Sequence, residues 1–361
     1  MAINRVEIKD FLVFKGEFTA DFCQGINVLI GGNATGKTTL LKVMYWGCEF
    51  SNKSEQFELE TGMLAHIWPP RFPNGSLRSF FNLEEIEDES DIGSASKIRL
   101  FSNKIDSPDP AIDELISKKI IPRKTIRDGH AKNAPLSQWV RLRVQSVFIP
   151  TTEMLSHSRG FLELDRERRL PFDCTEIDII AKAGLPPTRK ITENAKNAIE
   201  IISRIIKGKV EYDGKDFFVV REKDSSRIPF SLEASGFRKF GLLWKLLRNG
   251  LLENGSVLFW DEPENSLNPE LVSILVDILL ELSRNGVQIF IATHSEILAS
   301  YFAVNRQNGD EVMFTSLYKD GEQVKANTSD RFDLLEPNNL TAEPVKLYEK
   351  QIEKGLNGNG K

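Results

Sequence analysis

The sequence predicts an α/β fold. Three observations carry that reading. The apolar run Ile26–Ile30 leads into the glycine-rich stretch Gly31–Gly36 and then into a helix through Lys42–Trp46; strand, loop and helix in that order open an α/β unit. Two later runs, Ser256–Trp260 and Val287–Ala292, are short and continuously apolar rather than alternating, the pattern of strands buried on both faces of a sheet. Helical patterns at Gly236–Asn249, Pro269–Ser283 and Ser295–Phe302 flank these runs, the alternation a crossover-connected sheet requires.

The remaining elements follow along the chain. Val6, Ile8, Phe11–Phe14, Phe18 and Phe22 mark short strands before Ile26. Residues 51–140 change character. They hold Trp68-Pro69-Pro70, an acidic run from Glu84 to Asp91 and a basic run from Lys118 to Arg127, with no sustained helical period. This reads as an insertion of loops and a few strands, such as Ile98–Phe101. Arg141–Ile149 returns to strand character before Pro150. Residues 151–207 read as mostly helical, with Ala195, Ala198, Ile199, Ile202, Ile205 and Ile206 at helical spacing. Val210–Val220 reads as a hairpin turning at Asp213-Gly214. Pro269 suits the first turn of its helix, Met313–Leu317 is a late strand, and residues 319–361 read as a tail whose end, GLNGNGK, is expected to be disordered.

Composition limits the function. The chain has 361 residues, 40% of them hydrophobic, enough for a sizeable core in one large or two modest domains. A net charge of −5 argues against a uniformly basic nucleic-acid coat and leaves room for a local basic patch. Cys23, Cys48 and Cys174 are far apart and lack metal-ligand spacing, as expected of free thiols in a reducing compartment. MAINRVEIKDF lacks a signal-peptide core, and no apolar run reaches the ~20 residues of a membrane span. A cytoplasmic protein with no membrane partner is expected.

The chemistry concentrates in four segments. Gly31-Gly32-Asn33-Ala34-Thr35-Gly36-Lys37-Thr38 fits G-x-x-x-x-G-K-[ST] between a strand and a helix, with Thr39 next on that helix. Glycines let backbone N–H groups converge on phosphate oxygens, and the helix N-terminus adds positive potential. Lys37 is expected on the β- and γ-phosphates of a bound ATP, and Thr38 on Mg²⁺. Val257-Leu258-Phe259-Trp260 delivers Asp261 and Glu262 to the end of a buried strand. Asp261 is expected to hold Mg²⁺, and Glu262 to orient or deprotonate an attacking water. Thr293-His294-Ser295 follows a parallel strand, placing His294 within reach of a γ-phosphate. Ser235-Gly236 opens a helix, with Ser235 a candidate N-cap.

The order of phosphate loop, Ser-Gly helix start, hydrophobic-Asp-Glu-Pro and Thr-His-Ser resembles the ABC-type ATPases of the AAA family. It is most similar to the soluble, non-transporter branch with the structural-maintenance-of-chromosomes and overcoming-lysogenization-defect families. The likeness covers residues 1–50 and 141–318 as the ATPase core. It implies a P-loop NTPase of ABC type: a mixed sheet, an antiparallel N-terminal β-subdomain, and a helical lobe at about 151–250 carrying the signature loop. It also implies ATP and Mg²⁺ as cofactors and a homodimer through shared ATP sites, where Ser235 and Gly236 touch the γ-phosphate of ATP held by the partner subunit. Asn265-Ser266-Leu267-Asn268-Pro269 falls at the family's dimer-contact loop. The signature here reads Ala-Ser-Gly-Phe-Arg, which departs from the transporter Leu-Ser-Gly-Gly-Gln. The family's Gln after the strand is replaced by Pro150-Thr151-Thr152-Glu153, with Gln145 inside the strand. No helix is long enough for a coiled coil, and the chain is expected to lack the nuclease domain of its OLD-type relatives. Many bacterial proteins of this branch act against phage, so the leading expectation is an ATP-driven switch controlling a separate effector, a nuclease or toxin. Direct DNA or RNA handling through Lys118–Arg127 is the alternative, and the ATPase subunit of a transporter is the third reading.

Overall fold

The computed structural model describes residues 3–53, 55–58, 64–67, 92–102, 144–168 and 172–358. The acidic run, the basic run Lys118–Arg127 and the last three residues of the tail lie outside the described residues.

The chain opens with β1 (Ile3–Phe11), β2 (Phe14–Asp21) and β3 (Ile26–Gly31), followed by α1 (Lys37–Lys53). A small pair, β4 (Glu55–Glu58) with β5 (Leu64–Ile67), and the long β6 (Ile92–Ser102) come next, then β7 (Ser146–Ile149). The helical lobe holds α2 (Phe161–Arg168), α3 (Cys174–Ala183), α4 (Glu193–Ile206), the small sheet of β8 (Gly208–Tyr212), β9 (Phe217–Arg221) and β10 (Arg227–Pro229), and α5 (Ser235–Arg248). The chain returns through β11 (Val257–Asp261), α6 (Pro269–Arg284), β12 (Gln288–Ala292), α7 (Glu296–Asn305), β13 (Val312–Asp320), β14 (Gln323–Ser329) and α8 (Asn339–Gly358).

The central sheet has the order β14-β13-β3-β12-β11-β7. All neighbours are parallel except β14, which runs antiparallel to β13 at the edge. The sheet is therefore mixed, as expected. Side chains alternate across it. Val28, Ile30, Leu258 and Trp260 face the core shared with α3 to α7. Leu29, Val257, Phe259 and Phe290 face a second core made with α1, β1, β2 and β6. In that second core Phe148, Phe259 and Phe290 sit in register on adjacent strands, and their rings stack at 6.5 and 5.2 Å. Such cross-strand aromatic pairs add to the stability that burial alone supplies.

The N-terminal strands form the expected antiparallel subdomain, with an addition: the sheet order is β2-β1-β6. β6 comes from the segment read as an insertion and pairs with β1 along almost its whole length. Ile98 and Leu100 are buried in the second core. The strand expected at Ile98–Phe101 is present and extends to eleven residues. The tail also carries structure. β14 extends the central sheet beyond residue 318, and α8 runs on to Gly358, through most of the stretch expected to be disordered. Alternating charged and apolar residues, with Lys346 bonded to Glu343 one turn away, support that helix locally. β7 begins later than the sequence pattern suggested. Gln145 precedes it, accepting a hydrogen bond from Val257 N and donating through Nε2 to Gly250 O at 3.2 Å.

Candidate functional site

The C-terminal ends of β3, β12, β11 and β7 lie side by side, the edge at which open α/β sheets bind ligands. β3 ends in the phosphate loop. Gly36 has φ +90°, and a Cβ there would lie 2.7 Å from Val13 Cγ1 and 2.8 Å from the Phe14 ring, so only glycine fits. Thr35 Oγ1 donates to Gly32 O at 2.9 Å and braces the loop, while Asn33 and Ala34 are exposed at its tip. α1 begins at Lys37 and has no acidic residue in its first turn, which leaves the positive end of the helix uncompensated. Lys37 Nζ donates to Gly31 O at 2.9 Å and Gly32 O at 3.0 Å, folding back over the loop. Burial lowers the Lys37 pKa, opposed by Asp261 and Glu262. Thr39 is half-buried on the helix behind it.

β11 carries Asp261 to the same point. Thr38 Oγ1 donates to Asp261 Oδ2 at 2.8 Å. Burial raises the Asp261 pKa; the hydroxyl bonds from Thr38 and Thr151 oppose that shift, and Glu262 adds to it. Two oxygen donors in contact at the mouth of a phosphate loop are the donor set a hard divalent cation takes. Glu262 follows with left-handed backbone, φ +49°, and its N–H donates to Ala292 O at 2.8 Å. That turn aims its carboxylate at His294 on the neighbouring strand end: Glu262 Oε1 lies 3.7 Å from His294 Nε2. The two side chains are 33% and 38% exposed, open enough to meet a ligand and a water.

Thr38 and Asp261 also line a cleft with Lys42, Thr151, Thr152 and Asp173. Its far wall is the segment after β7, where the sequence offered no Gln. Thr151 is the residue there that meets Asp261, and Gln145 is occupied with Gly250 instead. A cation, a hydroxyl, two carboxylates and an imidazole thus converge at a helix N-terminus, an arrangement suited to a nucleoside triphosphate and its counter-ion.

A family model described as "AAA domain, putative AbiEii toxin, Type IV TA system" matches residues 26–300. The chain belongs to this family. It is a P-loop ATPase of the AAA kind. Solved structures resembling this ATPase include the SMC head domain from Thermotoga maritima, at 12% identity and TM-score 0.42, covering 91% of this chain and 99% of that one. Another is the Smc head domain with an extended coiled coil, bound to the C-terminal domain of ScpA, from Pyrococcus furiosus, at 10% identity and TM-score 0.45, covering 96% and 98%. A third is the ADP form of an ATP-binding cassette of an ABC transporter, at 14% identity and TM-score 0.38, covering 91% and 90%. No curated protein matches the chain. Among the described residues no helix of the ATPase is long and apolar enough to cross a membrane.

Ser235 and Gly236 keep different company from the phosphate loop of their own chain. Ser235 is the first residue of α5 and not its N-cap; that place falls to Ala234, which offers no side-chain bond. The Ser235 hydroxyl, freed from capping, donates to Ser266 O at 3.4 Å, and Gly236 packs against Leu267. Three residues around the site were missed by the sequence reading. Glu264 Oε1 accepts from Thr293 Oγ1 at 2.6 Å and from His294 N at 3.1 Å. Glu153 accepts from Arg238 of α5 at 3.2 Å. Lys239, 6% exposed, donates to Glu262 O at 3.0 Å and Pro263 O at 3.3 Å. Burial pushes its pKa down to about 8 against the pull of Glu264, Glu262, Asp261 and Glu153. The third acid of Asp261-Glu262-Pro263-Glu264 was the available signal for Glu264; for Lys239 the only signal was a lysine at helical spacing from Leu243 and Leu246.

Proposed function

We propose that the protein is a Mg²⁺-dependent ATP hydrolase that dimerises around ATP and serves as a switch for a separate effector in bacterial anti-phage defence. One observation carries the reading: Thr38 and Asp261 in hydrogen-bond contact, and Glu262 facing His294, at the mouth of a phosphate loop whose Lys37 is held over it. The loop's backbone N–H groups (residues 31–36) and Lys37 bind the phosphates, and Thr38 and Asp261 hold Mg²⁺. Held there, the ion would supply positive charge to the triphosphate. Glu262 orients a water toward the γ-phosphorus and takes its proton, as the new O–P bond forms and the bond to the β–γ bridging oxygen breaks, releasing ADP. His294 meets the γ-phosphate beside it. Ser235 and Gly236 close the site from the second subunit, where a helix start offers a hydroxyl, N–H groups and a positive dipole end. The family description, "AAA domain, putative AbiEii toxin, Type IV TA system", supports a role in a defence system.

Purified protein should hydrolyse ATP with Mg²⁺ and stop when EDTA is added. Lys37→Ala should lose nucleotide binding. Glu262→Gln should retain ATP, turn over ~10²-fold more slowly and elute as a dimer. Used as bait, Glu262→Gln should retain a nuclease or toxin that Lys37→Ala does not. Near-normal turnover in Glu262→Gln would overturn the assigned base.

A further inference from the structure

We infer that Lys239 is a positioning residue for ATP hydrolysis: its ammonium clamps the backbone of Glu262 and Pro263 and so sets where the Glu262 carboxylate points. The inference rests on the role proposed for Glu262.

The backbone at Glu262 is unusual. Its φ of +49° is a conformation that costs a non-glycine residue, so the surroundings must hold it. The holding groups are on both sides of the residue. On one side the Glu262 N–H donates to Ala292 O at 2.8 Å, which ties the turn to β12. On the other the Glu262 and Pro263 carbonyls both accept from Lys239 Nζ. Within the turn Asn265 N–H also donates to Glu262 O at 3.1 Å, so Lys239 adds a charged second donor at Glu262 and bonds the next carbonyl, Pro263 O. A lysine with three donors can satisfy two successive carbonyls at once, where a neutral side chain of that reach could not do so with the same strength. The group is almost fully buried, so water does not replace it.

Lys239 also links two parts of the molecule. It lies on α5, one turn after Ser235 and Gly236, whose own contacts are with Ser266 and Leu267 just beyond Pro263. The first turns of α5 and the segment 262–267 therefore form one packed unit. Lys239 is the charged contact in it that reaches the backbone of the proposed base.

The test compares Lys239→Met, which keeps most of the length and an apolar stem, with Lys239→Gln, which offers a neutral NH2 with two donors on a shorter stem. Both should bind a fluorescent ATP analogue with Kd within about twofold of the unmodified protein. Lys239→Met should lose at least ~10-fold in kcat with KM nearly unchanged, and Lys239→Gln should fall between the two. The deciding readout is the pair with Glu262→Gln. If Lys239 acts through Glu262, adding Lys239→Met to Glu262→Gln should slow the residual hydrolysis by less than about twofold. A further ~10-fold loss in the double variant, or unchanged kcat in folded Lys239→Met, overturns the inference. If Lys239→Met does not fold by circular dichroism, Lys239→Gln in the same two backgrounds decides by the same criteria. Should Glu262→Gln alone leave turnover unchanged, the assignment of Glu262 fails, and the Lys239 inference falls with it whatever Lys239→Met does.

Discussion

At Glu264 one carboxylate oxygen accepts from the Thr293 hydroxyl and from the His294 amide, so the strand end carrying His294 is hung from the turn carrying Glu262. Thr293 is fully buried, and its hydroxyl has no water to fall back on. Glu264→Ala should therefore cost about 1–3 kcal/mol of stability in denaturant melts, the penalty for the buried Thr293 hydroxyl left without an acceptor. It should also lower kcat more than nucleotide affinity, because the phosphate loop and Lys37 are untouched while the backbone of His294 loses its acceptor. A variant as stable as the unmodified protein would mean that the Thr293 and His294 donors find other acceptors. This scale also explains what the sequence could tell. Lys37, Thr38, Asp261, Glu262 and His294 were legible because each sits at a fixed offset from the end of an apolar strand, and strand ends are readable from hydropathy. Lys239 and Glu264 were not, because their importance comes from burial against backbone groups that lie about 20–30 residues away in the chain. Ser235 was misassigned as a cap for a related reason: Ser, Gly and a helical run fit both an N-cap and a first-turn residue, and only the backbone of Ala234 separates them.

Between elements, the most consequential contact is the polar network joining α1 to α3. Lys182 donates to Glu49 at 2.6 Å, to Ser146 O at 2.5 Å and to Tyr45 Oη at 2.8 Å, and pairs with Asp178 at 3.2 Å. Tyr45 donates in turn to Asp178. A second pair, Lys42 with Asp173, repeats the link one turn nearer the phosphate loop. The helix that follows the phosphate loop is thereby fastened to the helical lobe. Glu49 is only 1% exposed and Lys182 11%, so removing one partner strands a buried charge. Lys182→Met should lose about 3–5 kcal/mol, and pairing it with Glu49→Leu should recover most of that loss. If the double variant is no better than the single one in urea titration, Glu49 is not the source of the cost. The helices of this network were readable as helical periodicity, but their pairing was not: which charged face meets which depends on how the sheet twists them together. β6 was underread for the same cause. Its role as the third strand of the N-terminal sheet is set by pairing with β1, some ninety residues earlier, and no local pattern announces such a partner.

At the scale of the whole molecule, a phosphate loop binds its ligand from one side, and the start of α5 packs on Ser266 and Leu267 of its own chain. If the sites are shared between two subunits, as proposed, Lys37→Ala and Ser235→Arg should each be inactive alone, the first lacking a phosphate grip and the second blocking the partner's γ-phosphate. Mixed together they can complement. In a symmetric dimer of one of each, one site contains both lesions, and the other joins an intact phosphate loop to an intact Ser235–Gly236. With random pairing half the dimers are mixed and half their sites are whole, so ~25% of normal hydrolysis should return if the sites act independently. If Ser235 instead served the ATP of its own subunit, every phosphate loop in the mixture would face either its own lesion or a damaged Ser235, and activity would stay at zero. A requirement that both sites fire together would also give zero, so a second measurement separates the two cases. Light scattering with ATP should show dimers for Glu262→Gln and monomers for Glu262→Gln carrying Ser235→Arg, because Ser235 then contributes to closing the partner's site. Equal dimerisation of both proteins, together with no complementation, would remove Ser235 from the shared interface and leave each ATP to a single chain.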